Sequence, residues 1–304
     1  LSDEAKYRQQ AIASDGSNSF WEGIQPGFTF STATPGSKEF FAEVEDHRYK
    51  LESHIPELAK FSATDGKDVL EVGCGIATDG SRFSRAGARY TGVDQSAEAI
   101  GLATERFEMQ GLNGRFIRSQ ATELPFDNDS FDFVYSWGVL HHLDNTQGAI
   151  AEIRRVLRPG GTALVMLYHR DSLNYRFSIM FLRRSLAALL LFRPGRWFAK
   201  KVTGENAELL ESHQRLLQEK GFAYLRDRQM FLNNNTDGPG NPLSKVYSRE
   251  EATKLFESQG FSNVSTEVRF LNLRAYPGGE RLERSHLAHW LGRSLGWHLC
   301  IQAR

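Results

Sequence analysis

The stretch Val69-Leu-Glu-Val-Gly-Cys-Gly-Ile-Ala77 runs from apolar residues through an acid into Gly73, Cys74 and Gly75. That pattern predicts a strand breaking into a turn whose glycines let backbone come close to a ligand, and the carboxyl edge of an open sheet is where such ligands bind. A nicotinamide dinucleotide would want a third glycine at the sixth place of the loop, where this chain has Thr78, so a dehydrogenase fits poorly. Asp94 stands 21 residues beyond Gly73, at the end of the next apolar run. A carboxylate there can accept hydrogen bonds from both hydroxyls of a ribose. Three later stretches have chemistry-bearing residues at predicted strand ends or starts: Ser119-Gln-Ala-Thr-Glu-Leu-Pro-Phe126, Phe131-Asp-Phe-Val-Tyr-Ser-Trp-Gly-Val-Leu-His-His142 and Leu157-Arg-Pro-Gly-Gly161.

Residues at strand ends need strands to hold them. Short β-branched runs at 68–72, 90–94, 114–118, 131–135 and 162–168 alternate with helical patterns such as Ala97 to Met109 and Gly148 to Leu157. This alternation is the mark of βαβ units on a parallel sheet. It stops after the fifth run and resumes at Ser248-Arg-Glu-Glu251, a capping box opening a helix through Glu257. Two late strands follow, near Asn263 to Leu271 and near Trp297 to Gln302. Between them and the fifth run lie an arginine-rich apolar stretch, Phe177 to Phe198, and the segment Asn233 to Ser244, which has no periodicity and reads as a loop.

The chain has 304 residues, 40% of them hydrophobic, and its 37 Lys plus Arg balance 37 Asp plus Glu. That balance argues against duplex nucleic acid as a partner and favours a small molecule. Two cysteines, Cys74 and Cys300, exclude a disulfide framework and suit a reducing, cytoplasmic compartment. Residues 1 to 20 lack the apolar run of a secretory signal, and Phe177 to Phe192 is too short and too charged to span a bilayer.

Taken in order, the motifs between about residues 65 and 170 resemble the class I methyltransferases that use S-adenosyl-L-methionine, in particular the small-molecule branch called the type-11 methyltransferase domain. The resemblance implies an α/β fold: a seven-stranded Rossmann-like methyltransferase sheet, mostly parallel with an antiparallel last strand, under a helical and loop cap. It implies that Gly73, Cys74 and Gly75 cradle the methionine portion of the cofactor, that Glu71 orients it, and that Asp94 binds the ribose. Gln95 would touch adenine, and Ser136 and Trp137 would flank the methionine end. Where the family commonly has Gly-Asp-Ala, this chain has Ser119-Gln120-Ala121, and the Gln120 amide oxygen could accept the adenine amino group in place of the aspartate. Ala77 likewise replaces a third glycine.

The fold so implied places His141, His142, Tyr168 and His169 near the methyl, as general-base candidates. No metal is expected. Plainer readings stand beside these: one histidine of the pair could cap or pack, Tyr168 could be a core aromatic, and Cys74 is best read as a small residue without thiol chemistry. Substrate contacts are expected from Trp21, Asn235, Asp237 and Tyr247, with Phe20, Phe40 and Phe41 adding an apolar wall.

The domain expectation is an N-terminal cap over 1–60, a cofactor-binding core over 61–170, an inserted substrate cap over 171–247 and completion of the sheet over 248–304. From 170 to 228 there are 12 Lys plus Arg against 6 Asp plus Glu, which suits an anionic group on the acceptor. The same stretch could make weak interfacial membrane contact, although a cap helix packed on the domain is the simpler reading. The function expected is methyl transfer from S-adenosylmethionine to an oxygen, nitrogen or sulfur nucleophile of a small metabolite. A regulatory subunit that binds cofactor without turnover is the alternative, and the oligomeric state is left open.

Overall fold

The computed structural model describes residues 20–21, 30–191, 207–273 and 286–304. Residues 192–198 of the arginine-rich stretch, and residues 1–19 and 22–29 of the N-terminal segment, lie outside these residues.

Strands β1 (Asp68–Val72), β2 (Arg89–Asp94), β3 (Arg115–Arg118), β4 (Phe131–Trp137) and β5 (Leu157–His169) pair in parallel in the order β3-β2-β1-β4-β5. Val69, Leu70 and Val72 of β1 are completely buried, as expected of a strand covered on both faces. Register pairs Val72 with Val93, Asp94 with Arg118 and Glu71 with Tyr135, so these strands end together at one edge. The strand order reverses between β1 and β4, the switch point at which open α/β sheets leave a crevice.

Three helices connect these strands: α2 (Thr78–Arg85), α3 (Ala97–Gln110) and α4 (Thr146–Val156), preceded in the chain by α1 (Lys38–Leu51). Each start has a local cause where a side chain caps it. Ser96 accepts from the Ala99 N–H, and Asn145 accepts from the Gly148 N–H, which starts α4 two residues before the sequence pattern suggests. Gly111 at φ 63 ends α3 in the left-handed conformation.

The chain divides into two compact units, one of residues 1–167, 250–266 and 300–304, the other of 168–249 and 267–299. Helix α1 belongs to the first. Its Phe40, Phe41 and Val44 are buried in a cluster with Ile76 of the glycine turn, so Phe40 and Phe41 are core residues rather than the exposed apolar wall expected of them. The polar side of α1 reaches Asp79, a buried carboxylate in α2. Arg48 donates to both Asp79 oxygens, Tyr49 Oη to Oδ1 at 2.7 Å and Tyr135 Oη to Oδ2 at 2.9 Å. Burial raises the Asp79 carboxyl, but the Arg48 charge and these donors outweigh it and hold the group below the usual carboxylate range.

The second unit contains α5 (Ala207–Lys220), the short helix Phe222–Arg226, α6 (Arg228–Asn235) and α8 (His286–Leu295), while α7 (Arg249–Glu257) falls largely in the first. Residues 233–235, expected to be loop, form the last turn of α6. Asp227 caps that helix by accepting from the Met230 N–H, and buried Phe231 and Leu232 hold it down, which outweighs the poor helix propensity of three asparagines. Strands β6 (Val246–Tyr247), β7 (Ser265–Arg269) and β8 (His298–Ala303) complete an eight-stranded sheet ordered β3-β2-β1-β4-β5-β8-β7 with β6 beside β5, one short strand more than expected. Ser262 and Arg304 exchange backbone hydrogen bonds, which sets the last two strands antiparallel.

Because Asp79 gathers a guanidinium and two phenols, Asp79→Ala should cost about 3 kcal/mol in urea denaturation at neutral pH. Its folded value lies below an unfolded value of about 3.9, so its contribution is complete above roughly pH 4 and is lost as pH falls through the folded value. Asp79→Asn should therefore show a shallower acid limb of stability than the parent, and equal limbs would show that the carboxylate contributes nothing as a charge.

Candidate functional site

A solvent-open recess of about 740 Å³ lies where β1, β2, β3 and β4 end. Val72, Gly73 and Gly75 form its floor from β1 and the turn beyond, Val93, Asp94 and Gln95 one side, and Ser119 and Ala121 follow β3. Trp137, Gly138 and Val139 form the other side from β4, with His142, Leu143 and Trp21 at its mouth. Gly75 adopts φ 51 and has nothing within 4 Å of where a Cβ would stand, so its bare side faces open space.

Asp94 is fixed by the turn it serves. Its Oδ2 accepts from the Gly75 N–H and its Oδ1 from the Ser96 N–H, both at 2.9 Å. These two backbone donors hold the carboxylate against the glycine turn, facing the recess. Ala77, where the family has glycine, sits at φ 52 and carries a left-handed cost of roughly 1 kcal/mol that glycine would avoid.

An adjoining recess shares Gly73, Gly75 and Trp137 with the first and is lined further by Arg48, Glu52, Glu71, Cys74 and Asp79. Glu71 is 4% exposed and accepts from Tyr90 Oη at 2.6 Å. This contact requires glycine at position 80, since a Cβ there would lie 2.3 Å from the Tyr90 phenol. Burial, then the nearby Asp79 charge, push the Glu71 carboxyl well above its ordinary value, which favours its neutral form. Cys74 is buried and its thiol is likewise pushed up by burial and by Asp94 and Glu71, the reverse of what a reactive thiolate needs. Trp137 is held by its indole N–H donating to Glu52 Oε2 at 2.8 Å and by stacking against Tyr135 at 5.8 Å.

Of the residues singled out in the sequence, Gly73, Gly75, Asp94, Gln95, Ala121, Trp137, His142 and Trp21 line the first recess, and Glu71 and Cys74 line the second. Two do neither. Gln120 is exposed, with Ser119 and Ala121 taking the wall on either side of it. Ser136 is completely buried and donates to the Val72 carbonyl at 2.9 Å, a tie between β4 and β1. The His142 ring lies 4.9 Å from that of Trp21, tilted by 54°, whereas His141 is fully buried with its ring 4.3 Å from that of His142. Sequence reasoning missed Ser119, Val139 and Leu143, although all three directly adjoin or lie within motifs it singled out.

Tyr168, His169, Asn235, Asp237 and Tyr247 all fall in the second unit. Tyr168 Oη is 2.9 Å from both oxygens of Asp237, and its ring stacks on Trp297 at 4.3 Å. His169 Nδ1 lies 3.0 Å from the Gly296 carbonyl oxygen, and burial pulls its imidazole below the ordinary value. Asn235 Nδ2 donates back to the Phe231 carbonyl within α6, and Tyr247 pairs with His169 across β6 and β5.

A family described as "Methyltransferase domain" matches residues 69–161. Among curated proteins, a phthiotriol/phenolphthiotriol dimycocerosates methyltransferase of Mycobacterium leprae is 43% identical over 98 residues, 32% of this chain and 36% of that protein. A fatty-acid O-methyltransferase of Mycolicibacterium smegmatis is 34% identical over 119 residues, 38% of this chain and 42% of that protein. The chain thus spans little more than a third of the length of the curated relatives it matches. Among solved structures, the 4+2 cyclase SpnF shares the fold with a TM-score of 0.51 at 15% identity, covering 99% of this chain and 94% of its own. The parallel sheet, the glycine turn braced by the Asp94 carboxylate and the matched family together show that residues 69–161 are a class I S-adenosylmethionine-dependent methyltransferase domain.

Proposed function

We propose that this chain transfers a methyl group from S-adenosylmethionine to an oxygen nucleophile on an apolar, lipid-like small molecule. The observation that carries this reading is the recess itself, which combines the open side of Gly75, a fixed Asp94 carboxylate and a wall of Trp21, Trp137, Val139 and Leu143 around one imidazole, His142. The residues present fit the cofactor. Asp94 presents a fixed carboxylate where ribose hydroxyls could donate, and Glu71, buried beside the glycine turn with its carboxyl pushed up, is an acid that a cationic amino group would stabilise as its carboxylate.

The bound cofactor supplies an electrophilic methyl on a positively charged sulfur. What remains for this chain is to align the acceptor, exclude water and remove a proton from a neutral nucleophile. His142 is assigned the base because its ring lines the recess, whereas that of His141 is enclosed. The apolar wall favours an acceptor with a hydrocarbon body, in keeping with the fatty-acid and dimycocerosate substrates named for the mycobacterial relatives. Within the second unit, the Asp237 carboxylate orients the Tyr168 phenol, and Asn235 and Tyr247 belong to the same unit as candidates for acceptor contact.

Labelled S-adenosylmethionine incubated with a panel of fatty acids and lipid alcohols tests the reaction. S-adenosylhomocysteine release that depends on one of these supports the proposal. Cofactor binding without release on any acceptor would favour a regulatory subunit.

Asp94→Ala should weaken S-adenosylmethionine binding by about 2 to 3 kcal/mol, read by titration calorimetry, since a charged acceptor is lost. Binding unchanged within about threefold would place the ribose elsewhere. For the base, His142→Ala should lower turnover about 100-fold while cofactor affinity holds. Near-normal turnover would leave a mechanism of proximity alone.

A further inference from the structure

The segment Asn174–Arg183 turns one apolar side inward and a second outward. Ser178 and Ile179 are buried, while Phe177 is 44% and Phe181 61% exposed, with their rings stacked 5.7 Å apart. Single exposed apolar residues are ordinary, but a stacked pair one turn apart is a patch. It does not stand alone. The Arg184 guanidinium donates to the carbonyls of Leu225 and Arg226, which ties the segment to the short helix Phe222–Arg226, and Phe222 is 61% exposed as well.

The charge along this segment is mostly positive. Arg176 is 68% exposed and pairs with Asp171, and Arg183 and Arg184 follow Phe181 after Leu182. From Ser172 to Gly204 the sequence contains no Asp or Glu and seven Lys or Arg, inside a chain whose total charge is zero. Aromatic rings beside an excess of arginines are the chemistry of an interfacial segment: rings enter the headgroup boundary while guanidinium groups meet lipid phosphates. No helix among the described residues is long and apolar enough to cross a membrane, so such contact would be peripheral.

We propose that the outward face carrying Phe177, Phe181 and Arg176 docks on an anionic lipid surface. One or two rings with a few cations give reversible attachment, weakened by salt. Docking needs neither cofactor nor acceptor, so it stands or falls apart from the proposed reaction.

The full chain is sedimented with vesicles of phosphatidylcholine alone and of phosphatidylcholine containing phosphatidylglycerol, at low and high salt. The expected result is binding to the anionic vesicles that salt reverses, weak binding to the neutral ones, and binding at least about 10-fold weaker for Phe177→Ser/Phe181→Ser. Both side chains are exposed, so the double variant should keep the parent's melting temperature and its cofactor affinity. No sedimentation, equal sedimentation with both vesicle types, or parental binding by the double variant would overturn the proposal. A double variant that changes oligomeric state in gel filtration while binding vesicles as the parent does would assign the face to a second copy, and would overturn it too.

Discussion

The buried carboxylate of Asp79 is the point through which three otherwise separate pieces of the first unit are fixed. It belongs to the first turn of α2, directly beyond the glycine turn, and accepts from Arg48 and Tyr49 of α1 and from Tyr135 of β4. A carboxylate taken out of water must be met by donors or become protonated, and here a guanidinium and two phenols meet it. The consequence reaches the recess wall. Arg48 also pairs with Glu52, Glu52 accepts from the Trp137 indole, and Tyr135 stacks on that same indole. The position of Trp137 therefore follows from a charge satisfied in α2, two elements away.

A second buried acid behaves in the opposite way. Glu71 has a phenol donor, from Tyr90, and lies near the Asp79 and Asp94 charges, so burial pushes it up despite the Arg48 charge. Two carboxyls of one unit are thus driven apart, one held low by a guanidinium bonded to it and one pushed up by burial and neighbouring carboxylates. Pairs of this kind separate a structural charge from a group whose charge can follow a ligand. Gly80 makes the arrangement sterically feasible, because any side chain at that position would drive the Tyr90 phenol away from Glu71.

The parts of this structure legible in the sequence are those whose cause is local. Strand, glycine turn and helix between Val69 and Arg85 follow from residues that neighbour one another, and so does the acid ending β2. What sequence could not show is what joins residues far apart. Tyr135 and Asp79 are 56 positions apart, and Trp137 and Glu52 are 85 apart. Phe40 and Phe41 looked like an active-site wall because aromatic content does not say which way a helix turns, and Ile76 turns them inward. Ser136 and Gln120 fail as wall residues for one reason. Side chains alternate in an extended chain, and a motif aligned by analogy gives the stretch but not the face, so Ser119 and Ala121 face the recess and Gln120 faces water. Asn233 to Asn235 form a helical turn because Asp227 caps it and Phe231 and Leu232 anchor it, a balance of tertiary burial over propensity.

The fold alone does not choose the reaction, since the 4+2 cyclase SpnF shares it over nearly all of this chain at a TM-score of 0.51. Function resides in the site carried by the fold. On the proposed reading, the cofactor side would rest on backbone and on one fixed acid, both set by the β1 and β2 turns, and so would tolerate little change. The acceptor side would be built otherwise: Trp21, His142 and Leu143 come from segments outside the regular strands, where substitution changes shape without disturbing the sheet. A sheet edge that fixes a methyl donor and loops that define an acceptor could then vary independently. Relatives named for fatty-acid, sterol and dimycocerosate methylation accordingly resemble this chain over only about 98 to 120 residues. The matched methyltransferase domain, residues 69–161, holds every strand that meets the recess, while Trp21 lies outside it.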